Sequence, residues 1–304
     1  MHFIPDRVDQ QLTSGLTIAE LIRERMGEFT TGERNVARAL LADYPNAALG
    51  SLAELASRAE VSDPTAMRFA VKLGFAGFPH LQLALREEVR ARLSSPLNVY
   101  ERQAAKFENS PDPIQQVIPE LISNLEHSTA NLATADWERA LSLIGDKRRS
   151  VYCLGHRFSH AAAYYLHFHL HQLRPKVTLL ETGIQFPADA LIDIGRRDVV
   201  VVFDYRRYHP ATHAFATAAA GYGASIVLFT DGWLSPIARL ADAVLPIGIE
   251  STSPCDSLTA VIAMIDALLA GLVRDLGSSV PERMKRIEEA RETVAGAAVA
   301  GKRG

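Results

Sequence analysis

The sequence predicts two domains of different class: an all-α helix-turn-helix domain, then an α/β domain with a mostly parallel, doubly wound sheet flanked by helices. Three observations predict this. At 304 residues the chain is too long for one small domain and sufficient for two. Residues 17–93 carry helix caps and helical apolar spacing. From residue 149 the pattern changes to short apolar runs alternating with helical stretches, the signature of a parallel sheet covered on both faces.

The helical half opens at Thr17, which caps a helix expected to run to about Glu28. Thr30 and Thr31 with Glu33 resemble a capping box ahead of Arg34–Asp43, and Pro45 stops that helix. Ser51 with Glu54 repeats the signal for Leu52–Ala59. Val61 and Ser62 make a short turn, and Ser62 caps a helix from Asp63 to Leu73. Pro64 is tolerated there because first-turn N–H groups have no helical partner. Gly74 ends that helix, and a further one spans Pro79–Leu93. Ser and Pro residues between 94 and 113 mark a linker, with a short helix expected near 99–107. Helices follow at 114–132 and 136–145.

Strands are expected at Ser150–Leu154, Val177–Leu180, Val199–Phe203, Ser225–Phe229 and Ala243–Ile247. Helices are expected between and after them at 159–173, 188–194, 210–221, 236–240 and 257–276. The expected domains are therefore 1–93, a linker at 94–113, an α/β domain at 114–280, and a tail helix within 281–304. Sheets of this kind bind ligands at the carboxyl ends of their strands.

Composition narrows the classes. Apolar residues make up 48% and charged residues 22%, as in ordinary globular proteins. No uncharged run approaches the ~20 residues of a membrane-spanning helix. The first nine residues carry charges and Pro5 rather than an apolar signal segment. The two cysteines, Cys153 and Cys255, have no pairing signature and fit a reducing compartment. A cytoplasmic protein with no membrane partner is expected. Net charge is −3, and residues 1–93 hold 11 Lys and Arg against 12 Asp and Glu. Nucleic-acid binding thus cannot rest on a broad basic field and must rest on where single charges sit.

Two short helices joined by a three-residue turn are the geometry that lets a second helix enter the major groove. Leu52, Leu55, Ala56, Val61, Ala66, Phe69, Ala70 and Leu73 have the spacing of a trihelical core. That leaves Ser62, Thr65, Met67, Arg68 and Lys72 on or near the outer face as candidate DNA contacts. The hydroxyls suit phosphate oxygens, Arg68 a base edge or phosphate, and Met67 a thymine methyl. The bland alternative is a helical hairpin with solvated side chains. The run from Ser51 to Phe78, followed by Leu83-Ala-Leu-Arg-Glu-Glu88, resembles the N-terminal domain of RpiR/MurR-family transcriptional regulators. The resemblance implies DNA binding. Ala66 and Met67 depart from the family's usual residues, so the operator sequence does not carry over.

The C-terminal half resembles the SIS (sugar isomerase) domain that this family fuses to its helix-turn-helix. Gly155-His-Arg157-Phe-Ser159 stands where such domains carry a strand followed by GxGxS, and a helix N-terminus there suits a phosphate. The segments 228–236, with Thr230, Asp231, Ser235 and Pro236, and 240–245 also match the family pattern. The second loop departs from it. A usual SxSGxT loop supplies hydroxyls, whereas this chain reads Asp204-Tyr-Arg206-Arg207-Tyr208-His209-Pro210. Gly155, Arg157, Ser159, Arg206, Arg207, Tyr208, His209 and Asp231 are therefore the candidate effector-binding residues. The resemblance implies a sugar phosphate, and the arginines admit a sugar acid or other small carboxylate. For Arg206 and Arg207 a solvated loop tip or an intersubunit salt bridge is the structural alternative.

Three His pairs have i,i+4 spacing, 156/160, 167/171 and 209/213, which suits zinc, yet no HExxH or Cys cluster accompanies them. Surface or subunit-interface roles are expected instead, with no metal, cofactor or catalytic residue. The function expected is a DNA-binding regulator acting as a homodimer or higher homo-oligomer, since one recognition helix contacts too few base pairs. Its partners would be a double-stranded operator and a small anionic effector. The alternative is a phosphosugar isomerase with a helical appendage, with Glu181, His209 and Glu250 as conceivable bases.

Overall fold

The computed structural model describes residues 17–93, 100, 112–181, 187–251, 253 and 255–300. The expected linker and short helix fall almost entirely outside these residues, as do residues 301–304 of the tail. The chain divides into two compact units. One holds the residues up to Asn131 with Asp231–Leu234 and Pro246–Ala260; the other holds Leu132–Thr230, Ser235–Leu245 and the residues from Val261 on.

The first unit is helical: α1 (Ile18–Glu24), α2 (Thr31–Ala42), α3 (Leu52–Arg58), α4 (Asp63–Lys72), α5 (Phe78–Leu93) and α6 (Pro113–Ala130). Three complete capping boxes start α1, α2 and α3, pairing Thr17 with Glu20, Thr30 with Glu33 and Ser51 with Glu54. Each satisfies two N–H groups that a helix start otherwise leaves unbonded. The first helix is shorter than expected. It stops at Glu24, and a 3-10 turn covers Met26–Glu28. Ile18, Leu21, Leu40, Leu55, Ala56, Phe69, Ala70 and Leu73 are buried in one core, with Phe29 and Phe69 rings 5.2 Å apart. Between α3 and α4 the Val61 N–H bonds to the Ala56 carbonyl at 3.0 Å, and Glu60 takes a left-handed φ of 54°. That sharp turn sets the second helix across the first.

Glu88 closes this bundle. From α5 its carboxylate accepts the Ile18 N–H at 2.6 Å, at the unbonded start of α1, and the Tyr44 hydroxyl. Burial pushes the Glu88 carboxyl up to about 7, and the Tyr44 and Ile18 donors only partly offset that rise. A carboxyl raised in the folded state contributes stability fully present below its unfolded value. That contribution is lost as pH rises through about 7.

The second unit contains α7 (Thr134–Gly145), β1 (Ser150–Gly155), α8 (His160–Leu173), β2 (Val177–Leu179), β3 (Asp198–Phe203), α9 (Pro210–Gly221), β4 (Ser225–Thr230), β5 (Ala243–Pro246), α10 (Thr259–Leu276) and α11 (Ser279–Ala300). The sheet order is β2-β1-β3-β4-β5. β1 runs parallel to β2 and β3, and β3 parallel to β4. Every residue of β3 and β4 is buried, as expected for strands covered on both faces. After β1 the chain passes outward to β2 and then returns to the other side of β1. The order of strands therefore reverses between β1 and β3, where α/β sheets place their ligands.

Two expected helices are 3-10 segments instead, Ala188–Ile192 and Pro236–Arg239. Pro187 and Gly195 bracket the first, leaving too few residues to propagate an α-helix, and Ala190 bonds Pro187 three residues back. Arg174, at the end of α8, is wholly buried and donates to the carbonyls of Ile144, Arg149 and Pro175. It satisfies carbonyls at the end of α7 and ahead of β1, which fixes where the sheet begins.

Urea denaturation should find wild-type protein less stable near pH 8 than near pH 5.5, by about 1–3 kcal/mol in the transition of the helical unit. Glu88→Gln, which cannot ionise, should flatten that difference. Equal slopes in the two proteins would remove the role given to Glu88.

Candidate nucleic-acid interface and effector site

The outer face of α4 carries a connected polar row. Ser62 and Thr65 hydroxyls lie 3.1 Å apart, and the Arg68 guanidinium donates to Thr65 at 3.0 Å. The three residues are spaced three apart, so they follow one side of the helix. Ser62 and Arg68 are exposed, and the Ser62 hydroxyl is not used to cap the helix. A row of two hydroxyls and a guanidinium, held by its own hydrogen bonds, suits a phosphate and a neighbouring base edge.

The remaining two candidates sit differently. The Met67 side chain is half-buried against the core, and its sulfur receives the Phe78 N–H at 3.4 Å. The Lys72 ammonium is 3.0 Å from the Glu33 carboxylate, whose side chain is only 7% exposed. Burial pushes Glu33 up, but the Thr30 N–H, the Lys72 ammonium and the Thr30 hydroxyl outweigh it and leave the carboxyl below its ordinary value. Lys72 thus joins α4 to α2, and Met67 joins it to the first residue of α5. Of the five, Ser62 and Arg68 are exposed, and Thr65, Met67 and Lys72 are each half-buried.

At the β1/β3 switch point, Gly155 is required by space. A Cβ there would stand 2.4 Å from the Ser159 carbonyl oxygen, because the chain folds back immediately after the strand. The buried Ser159 hydroxyl accepts the His156 N–H at 3.0 Å and lies 2.9 Å from both the His156 and Phe203 carbonyls. It therefore straps the loop after β1 to the end of β3. Asp204 continues the strap. Its carboxylate accepts the Ser235 hydroxyl at 2.5 Å and the His209 N–H at 3.4 Å. Ser235 in turn donates its N–H to the Thr230 hydroxyl at 3.0 Å. The loops after β1, β3 and β4 are thus joined by a buried polar chain.

This frame displays the charged candidates. Arg157 and Arg207 are exposed and both adopt left-handed backbone, with φ of 56° and 67°. Each such conformation costs about 1 kcal/mol or more in an L-residue, and strain of this kind persists where surrounding bonds hold it. Arg206, Tyr208 and His209 are half-buried beside them in sequence. His209 is the residue preceding α9, and its ring stacks on that of His156, with centroids 3.7 Å apart and planes 20° apart. Asp231 is fully buried, accepts the Trp233 N–H at 3.1 Å, and begins the 231–234 segment that groups with the other unit. The Cys153 thiol, under the β1 loop, is pushed up to about 12 by burial and is inert as a nucleophile.

The helix-turn-helix model of the rpiR family matches residues 16–92, and the SIS domain model matches residues 144–271. The chain thus carries an rpiR-family helix-turn-helix domain followed by a SIS domain. It is 25% identical over 283 residues to the HTH-type transcriptional regulator HexR of Pseudomonas aeruginosa, covering 90% of this chain and 94% of that protein. The HexR of Escherichia coli K12 is 23% identical over 285 residues, with the same coverage. The sugar isomerase domain of an RpiR transcription factor from Sphaerobacter thermophilus superposes with a TM-score of 0.55. That pair is 26% identical and covers 59% of this chain and 99% of that one.

The sequence reading quotes His156, Asp204 and Ser235 but places none of them among the effector-binding residues. Asp204 reads as a loop residue, and its partners lie 5 and 31 positions away. The only local signal is an Asp six residues ahead of a helix start. The i,i+4 His pairing pointed along α8 and α9, whereas the ring contact of His156 is with His209. Among the described residues no group of three or more His, Cys, Asp or Glu stands ready to hold a metal.

Removing one member of each buried pair should cost stability. Lys72→Met strands the Glu33 carboxylate, and Asp204→Ala strands the Ser235 hydroxyl and His209 N–H, each by about 1–3 kcal/mol. Thermal unfolding followed by circular dichroism reads both. A neutral Asp204→Ala would show that the strap does not hold the loops.

Proposed function

We propose that this protein is a one-component transcriptional regulator whose helix-turn-helix binds a double-stranded operator and whose SIS unit senses a small anionic metabolite. The observation that carries the DNA reading is the Ser62–Thr65–Arg68 row on the exposed side of α4. The match of residues 16–92 to the rpiR helix-turn-helix supports it. With Lys72 committed to Glu33, few cations remain on α4 to meet phosphates. Affinity then depends on two copies acting together, as a homodimer or higher homo-oligomer on a symmetric site. Ile114, Ile118 and Ile122, exposed at one-turn intervals on α6, support self-association. No described helix is long and apolar enough to cross a membrane, and the proposed place of action is the cytoplasm, where the operator lies.

For the effector, the proposed residues are Gly155, Arg157 and Ser159 at and after the end of β1, Arg206, Arg207, Tyr208 and His209 in the loop after β3, and Asp231 in the chain after β4. A sugar phosphate is the first reading, from the SIS match and the cationic loops. A sugar acid is the second, because Arg157 and Arg207 offer forks that fit a carboxylate. The isomerase alternative needs a general base aimed at a substrate carbon. The Glu181 carboxylate lies 3.5 Å from the His160 ring, His209 is stacked on His156, and the Glu250 carboxylate accepts the Ile249 N–H at 2.9 Å, so all three are engaged with neighbouring groups. We therefore read the SIS unit as a sensor without catalysis.

In gel-shift titrations with DNA flanking the protein's own gene, binding should be sequence-specific and weaken with salt. Arg68→Ala should reduce affinity by about 1–3 kcal/mol, and full affinity in that variant would overturn the assignment of the row. Arg207→Ala should keep operator binding and lose the response to sugar phosphates. Turnover of common sugar phosphates by the wild type would establish the isomerase reading instead.

A further inference from the structure

We infer that Gly32, in the first turn of α2, is a positioning residue for operator contact: the space left by its missing side chain holds the Thr65 hydroxyl, and through it the Arg68 guanidinium, in the row on α4. This rests on the reading of that row as the DNA-contacting surface.

Nothing in the backbone asks for glycine at this position. Gly32 is the second residue of α2, between Thr31 and Glu33, and its φ lies outside the left-handed range. Alanine is the better helix former in such a place. What glycine provides is room. A Cβ at position 32 would stand 3.0 Å from the Thr65 Cγ2 methyl and 3.7 Å from Val61 Cγ1. Carbon atoms pack best at about 3.5–4.0 Å, so the Thr65 methyl is the atom that would have to give way.

The start of α2 is held in place on either side of Gly32. The Phe29 ring lies 5.2 Å from that of Phe69. Thr30 and Glu33 complete the capping box, and the Glu33 carboxylate takes the Lys72 ammonium at 3.0 Å. Thr65, Phe69 and Lys72 recur at helical intervals along one side of α4. The stretch from Phe29 to Glu33 lies along that side, and it cannot withdraw from Thr65 without opening the contacts at both ends. A crowded Thr65 therefore relieves itself by turning about its own χ1. Threonine carries methyl and hydroxyl on one carbon, so the turn that moves Cγ2 also moves Oγ1. That oxygen lies 3.1 Å from the Ser62 hydroxyl and accepts the Arg68 guanidinium at 3.0 Å. In helices the other favoured threonine rotamers turn the hydroxyl back toward a carbonyl of the preceding turn. Arg68 then loses the acceptor that fixes its direction.

The probe is duplex DNA selected from a random pool by the unsubstituted full chain. Gly32→Ala should bind it about tenfold more weakly, the scale of one charged hydrogen bond. Its thermal unfolding should stay at or above the wild-type temperature, since alanine favours the helix. Thr65→Ser removes the methyl and keeps the hydroxyl, so Gly32→Ala added to it should cost less than about twofold. Added to Arg68→Ala it should likewise cost less than about twofold, because the group it misplaces is gone. A defect of folding would instead weaken binding in every background. Thr65→Val fills the seat beside Gly32 but offers Arg68 no acceptor, and it should match Gly32→Ala. Full affinity in either Gly32→Ala or Thr65→Val would overturn the inference and leave DNA binding intact. A tenfold loss that persists in either background would do the same. Failure of the unsubstituted chain to enrich any sequence would overturn the DNA reading and the inference with it.

Discussion

The Asp204 carboxylate is the interaction on which the effector half depends. A parallel sheet ends in a row of loops that share no ladder bonds with one another. In this SIS unit the loops after β1, β3 and β4 are joined by a short buried chain through Ser159, the Phe203 carbonyl, Asp204, Ser235 and Thr230. Hydrogen bonds to a buried charged group are stronger than neutral ones, and leaving one partner unmet is costly. The chain therefore behaves as one unit rather than as separate contacts. It is what lets Arg157 and Arg207 persist in left-handed backbone without glycine. Strain held in this way fixes where each guanidinium leaves the backbone, which under the proposed sensing role would lower the ordering cost of binding.

The DNA-binding half follows a different economy of charge. Its capping boxes use Glu20, Glu33 and Glu54 to satisfy helix starts, so much of its acidity serves local structure. Glu33 then draws Lys72 into an ion pair, removing a cation from the recognition face. What remains there is short and specific: two hydroxyls and one guanidinium joined by hydrogen bonds. Such a surface makes few phosphate contacts per copy. Under the proposed operator-binding role, affinity would then be less salt-steep per subunit than that of a basic arm.

The sequence made the periodic features legible. Apolar spacing located the trihelical core around Leu55 and Phe69, and unbroken apolar runs located β3 and β4, because both follow from one residue's neighbours along the chain. Ser51 with Glu54 announced α3 for the same reason. Tertiary pairing was opaque. Lys72 meets Glu33 from 39 positions away, and Met67 meets the Phe78 N–H across a turn. Helical periodicity placed both on the outer face, and periodicity has no knowledge of what packs beside that face. His209 was read with His213 along the helix, whereas the topology set it against His156, because only the register of β1 with β3 brings their loops together. Ala188–Ile192 shows the remaining weakness: composition favoured helix, and the proline and glycine around it left no length for one.

The altered second loop then has a consistent physical meaning. A hydroxyl cradle recognises phosphate by neutral donors whose strength varies little with pH or salt. Under the proposed sensing role, arginines, phenols and an imidazole in its place would put recognition on charges, which act over longer range and are screened by ions. Charge alone discriminates poorly between a phosphate and a carboxylate, since both attract guanidinium.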